Sequence, residues 1–175
     1  VALYLGDAKE LQQLGISEQK PFQVNQVPGL GVSSGGHRVL ESMKDGVLVR
    51  SLQSPFGSDS IAILRPHLEL ESIGKALIRG LGHAGKGYDF SFDFSRSDQL
   101  VCTEVVYRSY DGIDKMQFSL VRRAGRMTLS GNDLMEMALE RQCFDPVAVY
   151  APMFQPAVCT DEEAAVLMRR CLQQD

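Results

Sequence analysis

Cys102 is followed at once by Thr103 and Glu104, and behind them Val105, Val106 and Tyr110 fall on one broad apolar face of a helix over residues 102–110. A thiol at the first position of a helix meets the positive end of the helix dipole and backbone N–H groups that no intrahelical carbonyl takes up. Both favour a thiolate, the nucleophilic form of cysteine. The same N–H groups can receive the oxyanion that forms when sulfur attacks a carbonyl. The plain alternative is a small buried hydrophobe, the usual condition of a lone cysteine. A nucleophile also needs a base, and the chain offers three histidines, His37, His67 and His83.

The elements that must position this thiol follow from periodicity and punctuation. VALYL (1–5) reads as a buried strand, and residues 8–14 as a short helix ended by Gly15. Residues 20–37, rich in glycine and holding two prolines, read as a loop. Segments 37–42 and 46–52 flank an Asp-Gly turn and predict a hairpin, and 60–66 is a third strand stopped by Pro66. Leu70, Ile73, Leu77 and Leu81 predict a helix over 67–82, with Pro66 just ahead of its first turn and Gly82 at its end. Further helices are expected over 102–110, closed by Gly112, and over 129–143, capped by Ser130 or Asn132. A last short strand at 145–152 precedes a terminal helix whose first turn, Asp161-Glu162-Glu163, suits the helix dipole. Strands and helices do not alternate strictly, which points to α+β, an antiparallel sheet packed against helices, rather than a doubly wound sheet.

Composition narrows the classes. The 175 residues are 44% hydrophobic and 23% charged with a net charge of −4, as in an ordinary globule of one domain spanning 1–175. That charge gives no general pull toward nucleic acid or an anionic membrane. The basic cluster at 121–126 is short and reads as a solvated turn. No run of about 18 apolar residues predicts a transmembrane helix. The four cysteines form no CxxC pair, and no histidine, cysteine or acid has metal-ligand spacing, so neither a metal nor another cofactor is expected. GLGVSSGG (29–36) lacks the GK[ST] of a phosphate loop. Free thiols mildly favour a reducing compartment such as the cytoplasm, with the periplasm open if a leader precedes Val1. A chain that opens inside a strand is expected to continue upstream.

The stretch YDFSFDFSRSDQLVCTEVV (88–106) resembles the signature of YiiX/YebB-like proteins. These belong to the circularly permuted papain-like, NlpC-type superfamily, which also holds the lecithin–retinol acyltransferases. Their pattern, G-x-x-YD-x-x-F, a spacer and C-[ST]-E-[LV]-V, is met by Gly85 or Gly87, Tyr88, Asp89, Phe92, Cys102, Thr103, Glu104, Val105 and Val106. VALYLG (1–6) resembles the family strand that follows its histidine, and HRVLESMKDGV (37–47) resembles a later strand bearing an acid, here Glu41. LSGNDLMEMAL (129–139) resembles a further family phrase, so the likeness covers nearly the whole chain.

The resemblance implies a permuted papain-like fold with Cys102 as nucleophile, Glu41 as the residue that orients a histidine base, and that histidine immediately ahead of Val1. It implies a cysteine amidase, peptidase or acyltransferase acting on an amide or ester of a cell-wall peptide or lipid-like substrate. Tyr88, Asp89 and Tyr107 are the candidates to line the substrate cleft. His37 cannot be the histidine that Glu41 orients, because four residues of extended strand separate them by roughly 13 Å. His67 reads as a capping or surface residue and His83 as a loop residue. The rival reading is a binding module on the same scaffold that lacks a base. A purely structural domain is the third reading.

Overall fold

The computed structural model describes residues 1–16 and 36–173. The predicted loop over 20–37 therefore lies almost wholly outside the described residues. In chain order the elements are β1 (Ala2–Gly6), α1 (Ala8–Gln13), β2 (Arg38–Met43), β3 (Gly46–Ser51), α2 (Gln53–Phe56), β4 (Ile61–Pro66), α3 (Leu70–Leu81) and β5 (Gly87–Tyr88). They continue as β6 (Gln99–Leu100), α4 (Cys102–Tyr110), β7 (Val121–Arg123), β8 (Arg126–Thr128), α5 (Gly131–Leu139), β9 (Phe144–Ala151), β10 (Gln155–Thr160) and α6 (Asp161–Leu172). Helices and antiparallel sheets make this an α+β protein. Two compact units form, one from Val1–Ser54 with Leu68–Leu129, the other from Pro55–His67 with the chain from Ser130 onward.

In the first unit, β1, β2 and β3 form an antiparallel sheet with Ala2 opposite Glu41, Leu3 opposite Leu40, and Glu41 opposite Leu48. The hairpin between β2 and β3 turns at the expected Asp-Gly. Gly46 has φ +101°, and a Cβ there would stand 2.5 Å from the Lys86 carbonyl oxygen, so only glycine fits. β1 departs from the fully buried strand its composition predicts. Leu3 and Leu5 are buried while Tyr4 between them is 47% exposed. Alternating residues point to opposite faces, so only one face of β1 enters the core. On that face α3 and α4 pack tightly. A Cβ on Gly80 of α3 would meet Ser109 Oγ at 2.7 Å and Leu3 Cδ2 at 2.8 Å.

Helix α3 begins at Leu70, three residues later than periodicity predicts. In the second unit Pro66 still pairs with Phe144, and the His67 N–H donates to the Cys143 carbonyl (2.9 Å), so the sheet holds these residues in extended backbone. Leu70 consequently caps no stripe and is exposed, and the buried face of α3 is Ala76, Leu77, Gly80 and Leu81.

The second unit is a three-stranded antiparallel sheet in the order β10-β9-β4, with α5 and α6 packed on β9. Strand β10 was not expected after Pro152. It is an edge strand whose pairing slips between Gln155 and Cys159, around Pro156, which tolerates the missing N–H there. Ser130 is the cap of α5, and its hydroxyl and the Asp133 carboxylate exchange bonds with each other's backbone N–H. That helix stops at Leu139 rather than 143, and Arg141 (φ +53°) turns the chain out of it. No helix among the described residues is long and apolar enough to cross a membrane.

Candidate active site

Cys102 is the first residue of α4, as its spacing predicts, and Val101 ahead of it is extended (φ −86°, ψ 167°) with no side-chain cap. The first bond of the helical ladder runs from the Val105 N–H to the Val101 carbonyl (3.2 Å). The N–H groups of Cys102, Thr103 and Glu104 therefore lie outside the ladder, at the positive end of the dipole.

Strand β6 delivers the chain to this point. The buried Ser42 hydroxyl on β2 donates to the Leu100 carbonyl (2.6 Å), and β5 runs parallel to β6 with Tyr88 level with Leu100. Tyr88 thus stands beside the thiol. Its phenol is pushed above the usual range by burial first, then by negative charge at Cys102 and at Asp89.

Residues 89–98 loop out between β5 and β6, and Asp89 holds the loop together. Its buried carboxylate accepts the Ser91 N–H (2.7 Å) and the Asp93 N–H (2.5 Å). On this frame Phe90 and Phe92 meet the Tyr88 ring edge-on, at 4.9 and 6.3 Å between centroids. Both are open to solvent, 72% and 49% exposed, and Phe92 is held at φ +52°. Three aromatic rings, two of them wet, therefore form one cluster, and its Tyr88 member feels the charge of Cys102. Both Asp89 carboxylate oxygens are thus engaged by the backbone of its own loop.

Glu104 is fully buried, and its Oε1 accepts Arg108 Nε at 2.7 Å. Burial raises its pKa most, opposed by the bond and charge of Arg108 and more weakly by the Val101 N–H. Arg108 also donates to the carbonyls of Phe94 (3.0 Å) and Arg96. The acid of the Cys-Thr-Glu run thus ties the thiol's helix to the aromatic loop. The Glu104/Arg108 spacing of four on a predicted helix was a visible signal of this tie, whereas Ser42, Phe90 and Ser54 carried none.

Glu41 is buried on β2, where the Ser54 hydroxyl donates to its Oε1 and Arg50 Nε lies 3.2 Å from the same oxygen. Arg50 in turn pairs with Asp45 (2.6 Å). Glu41 points to the face opposite Ser42, so its contacts are to Ser54 and Arg50 and not to Cys102. Tyr107 also stands apart from the thiol. It packs on Phe94 and Phe118, at 5.8 and 5.9 Å, and lines a cleft with His83 and Arg108.

The three histidines are occupied or remote. His37 Nδ1 is 2.6 Å from the Tyr4 hydroxyl and 3.5 Å from Glu10, well away from Glu41 as strand geometry requires. His67 pairs with Asp145 (2.8 Å) in the second unit. His83 sits in the Tyr107 cleft. Cys102 is in no disulfide, and among the described residues no group of histidines, cysteines and acids could hold a metal ion.

The model of one protein family, described as permuted papain-like amidase enzyme, YaeF/YiiX, C92 family, matches residues 1–158. Among curated proteins and solved structures no significant match accompanies it.

Proposed function

Because the chain belongs to the permuted papain-like amidase family of the YaeF/YiiX type, we propose that Cys102 is its nucleophile, acting on an amide or ester that carries an apolar group. The single observation that carries this reading is the place of Cys102 at the first position of α4 beside three N–H groups outside the helical ladder. The sulfur forms a C–S bond to the substrate carbonyl carbon, and the oxyanion takes up those N–H groups. The tetrahedral adduct collapses, the amine or alcohol leaves with a proton, and water or a second amine releases the acyl group.

The base in this reading is a histidine immediately ahead of Val1. The β1–β2 register supports its pairing with Glu41 and not its reach to Cys102, since Glu41's face is opposite that of Ser42. Ala2 lies opposite Glu41, so a residue two positions back along β1 shares Glu41's face and is its diagonal neighbour. Among the described residues both contacts to Glu41 fall on Oε1, and Oε2 is the atom that would accept from such a histidine. Glu41 then orients the base, with Arg50 and Ser54 fixing the carboxylate.

Tyr88, Phe90 and Phe92 support an apolar substrate group, an acyl chain or a hydrophobic side chain of a peptide. Exposed aromatics clustered at a site mark binding rather than core. Hydrolysis and acyl transfer differ only in what resolves the acyl-enzyme. Incubation with N-acyl peptides and esters, followed by mass spectrometry of the intact protein, tests the reading: an acyl adduct on Cys102, absent in Cys102→Ser, is expected.

The alternative, a binding module on the same scaffold, draws on the state of His37, His67 and His83, none of which stands at Cys102. It predicts a residue other than histidine ahead of Val1 and substrate binding without turnover.

A further inference from the structure

A cleft of about 410 Å³ opens in the first unit between the C-terminal ends of α3 and α4. Arg79, His83, Lys86, Tyr107, Arg108 and Asp111 line it, and Cys102 does not. Its charges do not cancel. Arg108 is matched by Glu104, which leaves Arg79 and Lys86 against one carboxylate, Asp111, itself bound by the Phe118 N–H (3.1 Å) and the Tyr107 hydroxyl. Arg79 donates to the Asp111 carbonyl (2.8 Å) and Lys86 to the Ser97 carbonyl (2.6 Å). These neutral acceptors orient the two cations without neutralising them, and each cation keeps further donors.

His83 sits among them. Its Nδ1 is buried and has no hydrogen-bond partner among the described residues. Burial, then the charges of Lys86 and Arg108, push the ring down to about 4, so it is neutral at physiological pH. A buried ring nitrogen without a protein partner costs stability unless water or a ligand supplies one. A neutral imidazole can offer Nδ1–H as a donor. Donor and cations face one space, and its volume is that of a small-molecule site rather than of a single ion.

We propose that this cleft binds the oxyanion group, phosphate or carboxylate, of a small molecule, held by Arg79, Lys86 and the His83 ring. The site is separate from Cys102 and stands whether or not that thiol is a nucleophile. Bound anion supplies the partner that His83 Nδ1 lacks and offsets the repulsion of Lys86 and Arg108.

The test is a titration of the His83 ring nitrogens by NMR on the full chain, with inorganic phosphate in one arm and acetate in the other, at ionic strength fixed by chloride. Saturable shifts at His83 and a raised protonation midpoint are expected with at least one anion, and the arm that responds names the chemistry. Arg79→Gln and Lys86→Gln, on partly or fully exposed side chains, should each weaken that anion by roughly tenfold, the loss of one charge-assisted bond. Alkylation of Cys102 should proceed unchanged in both variants, which separates this site from the thiol's. A His83 titration that neither anion moves beyond chloride overturns the proposal, as does an anion response equal in the native protein and both variants.

Discussion

Arg108 and Glu104 lie one turn apart on α4, 2.7 Å between Nε and Oε1, and the same guanidinium reaches the Phe94 carbonyl at 3.0 Å. The pair joins the helix that begins with the thiol to the loop that carries its aromatic rim. Arg108→Ala would leave a fully buried carboxylate without its cation, and we expect a loss of about 3 kcal/mol in urea unfolding. The double variant Arg108→Met, Glu104→Gln should recover part of that loss, since no buried charge remains.

Asp89 is the frame of the aromatic loop. Replacing it with Ala strands the Ser91 and Asp93 N–H groups, two bonds to a charged acceptor, and should cost about 2–4 kcal/mol. Selectivity for apolar substrates should fall with it. Asp89→Asn, which keeps one acceptor, should fall between the two, as measured by unfolding and by relative kcat/KM.

Phe90 is open to solvent, so Phe90→Ser should change stability by no more than about 0.5 kcal/mol. If its ring receives an apolar substrate group, kcat/KM for long-chain acyl substrates should drop by about tenfold, the value of burying one to two methylenes, while short polar substrates are unaffected. Equal loss on both substrate types would remove the ring from specificity.

His83 gives the protein an acid-side weakness with a definite sign. Its folded pKa, about 4, lies below the ordinary 6.5, so the unfolded chain binds its proton first as pH falls. Its contribution to stability is complete above about 6.5 and is lost as pH drops toward 4. His83→Gln should flatten the pH dependence of Tm across that window, and a saturating anion in the cleft should do the same by raising the folded pKa.

Much of the fold was legible where one local signal decided the outcome. The Asp45-Gly46 turn, the helix from Cys102 to Tyr110 and the acidic opening of the last helix all stand where composition and spacing put them. The misses share a cause: tertiary pairing overrode local preference. Pro66 and His67 suit a helix start, yet pairing to Phe144 and Cys143 keeps them in the sheet. Tyr4 sits in an apolar run, yet only alternate residues of β1 meet α3 and α4. At the site, Cys102 was visible because its chemistry depends on position in one helix. Ser42, 60 residues earlier, reaches its neighbourhood only through sheet register, which no local pattern encodes. Tyr107 is close to Cys102 in sequence but five residues along a helix turns it to another side, into a different cleft.

The central claim is an acyl bond to Cys102, and the most direct measurement is intact-protein mass spectrometry of a chain that includes the residues ahead of Val1, quenched during turnover of an N-acyl peptide. The account predicts a mass increase equal to the acyl group, mapped to Cys102 by peptide digestion, and abolished in Cys102→Ser. Turnover of the peptide that persists undiminished in Cys102→Ser, or an acyl group mapped to another residue, would contradict it.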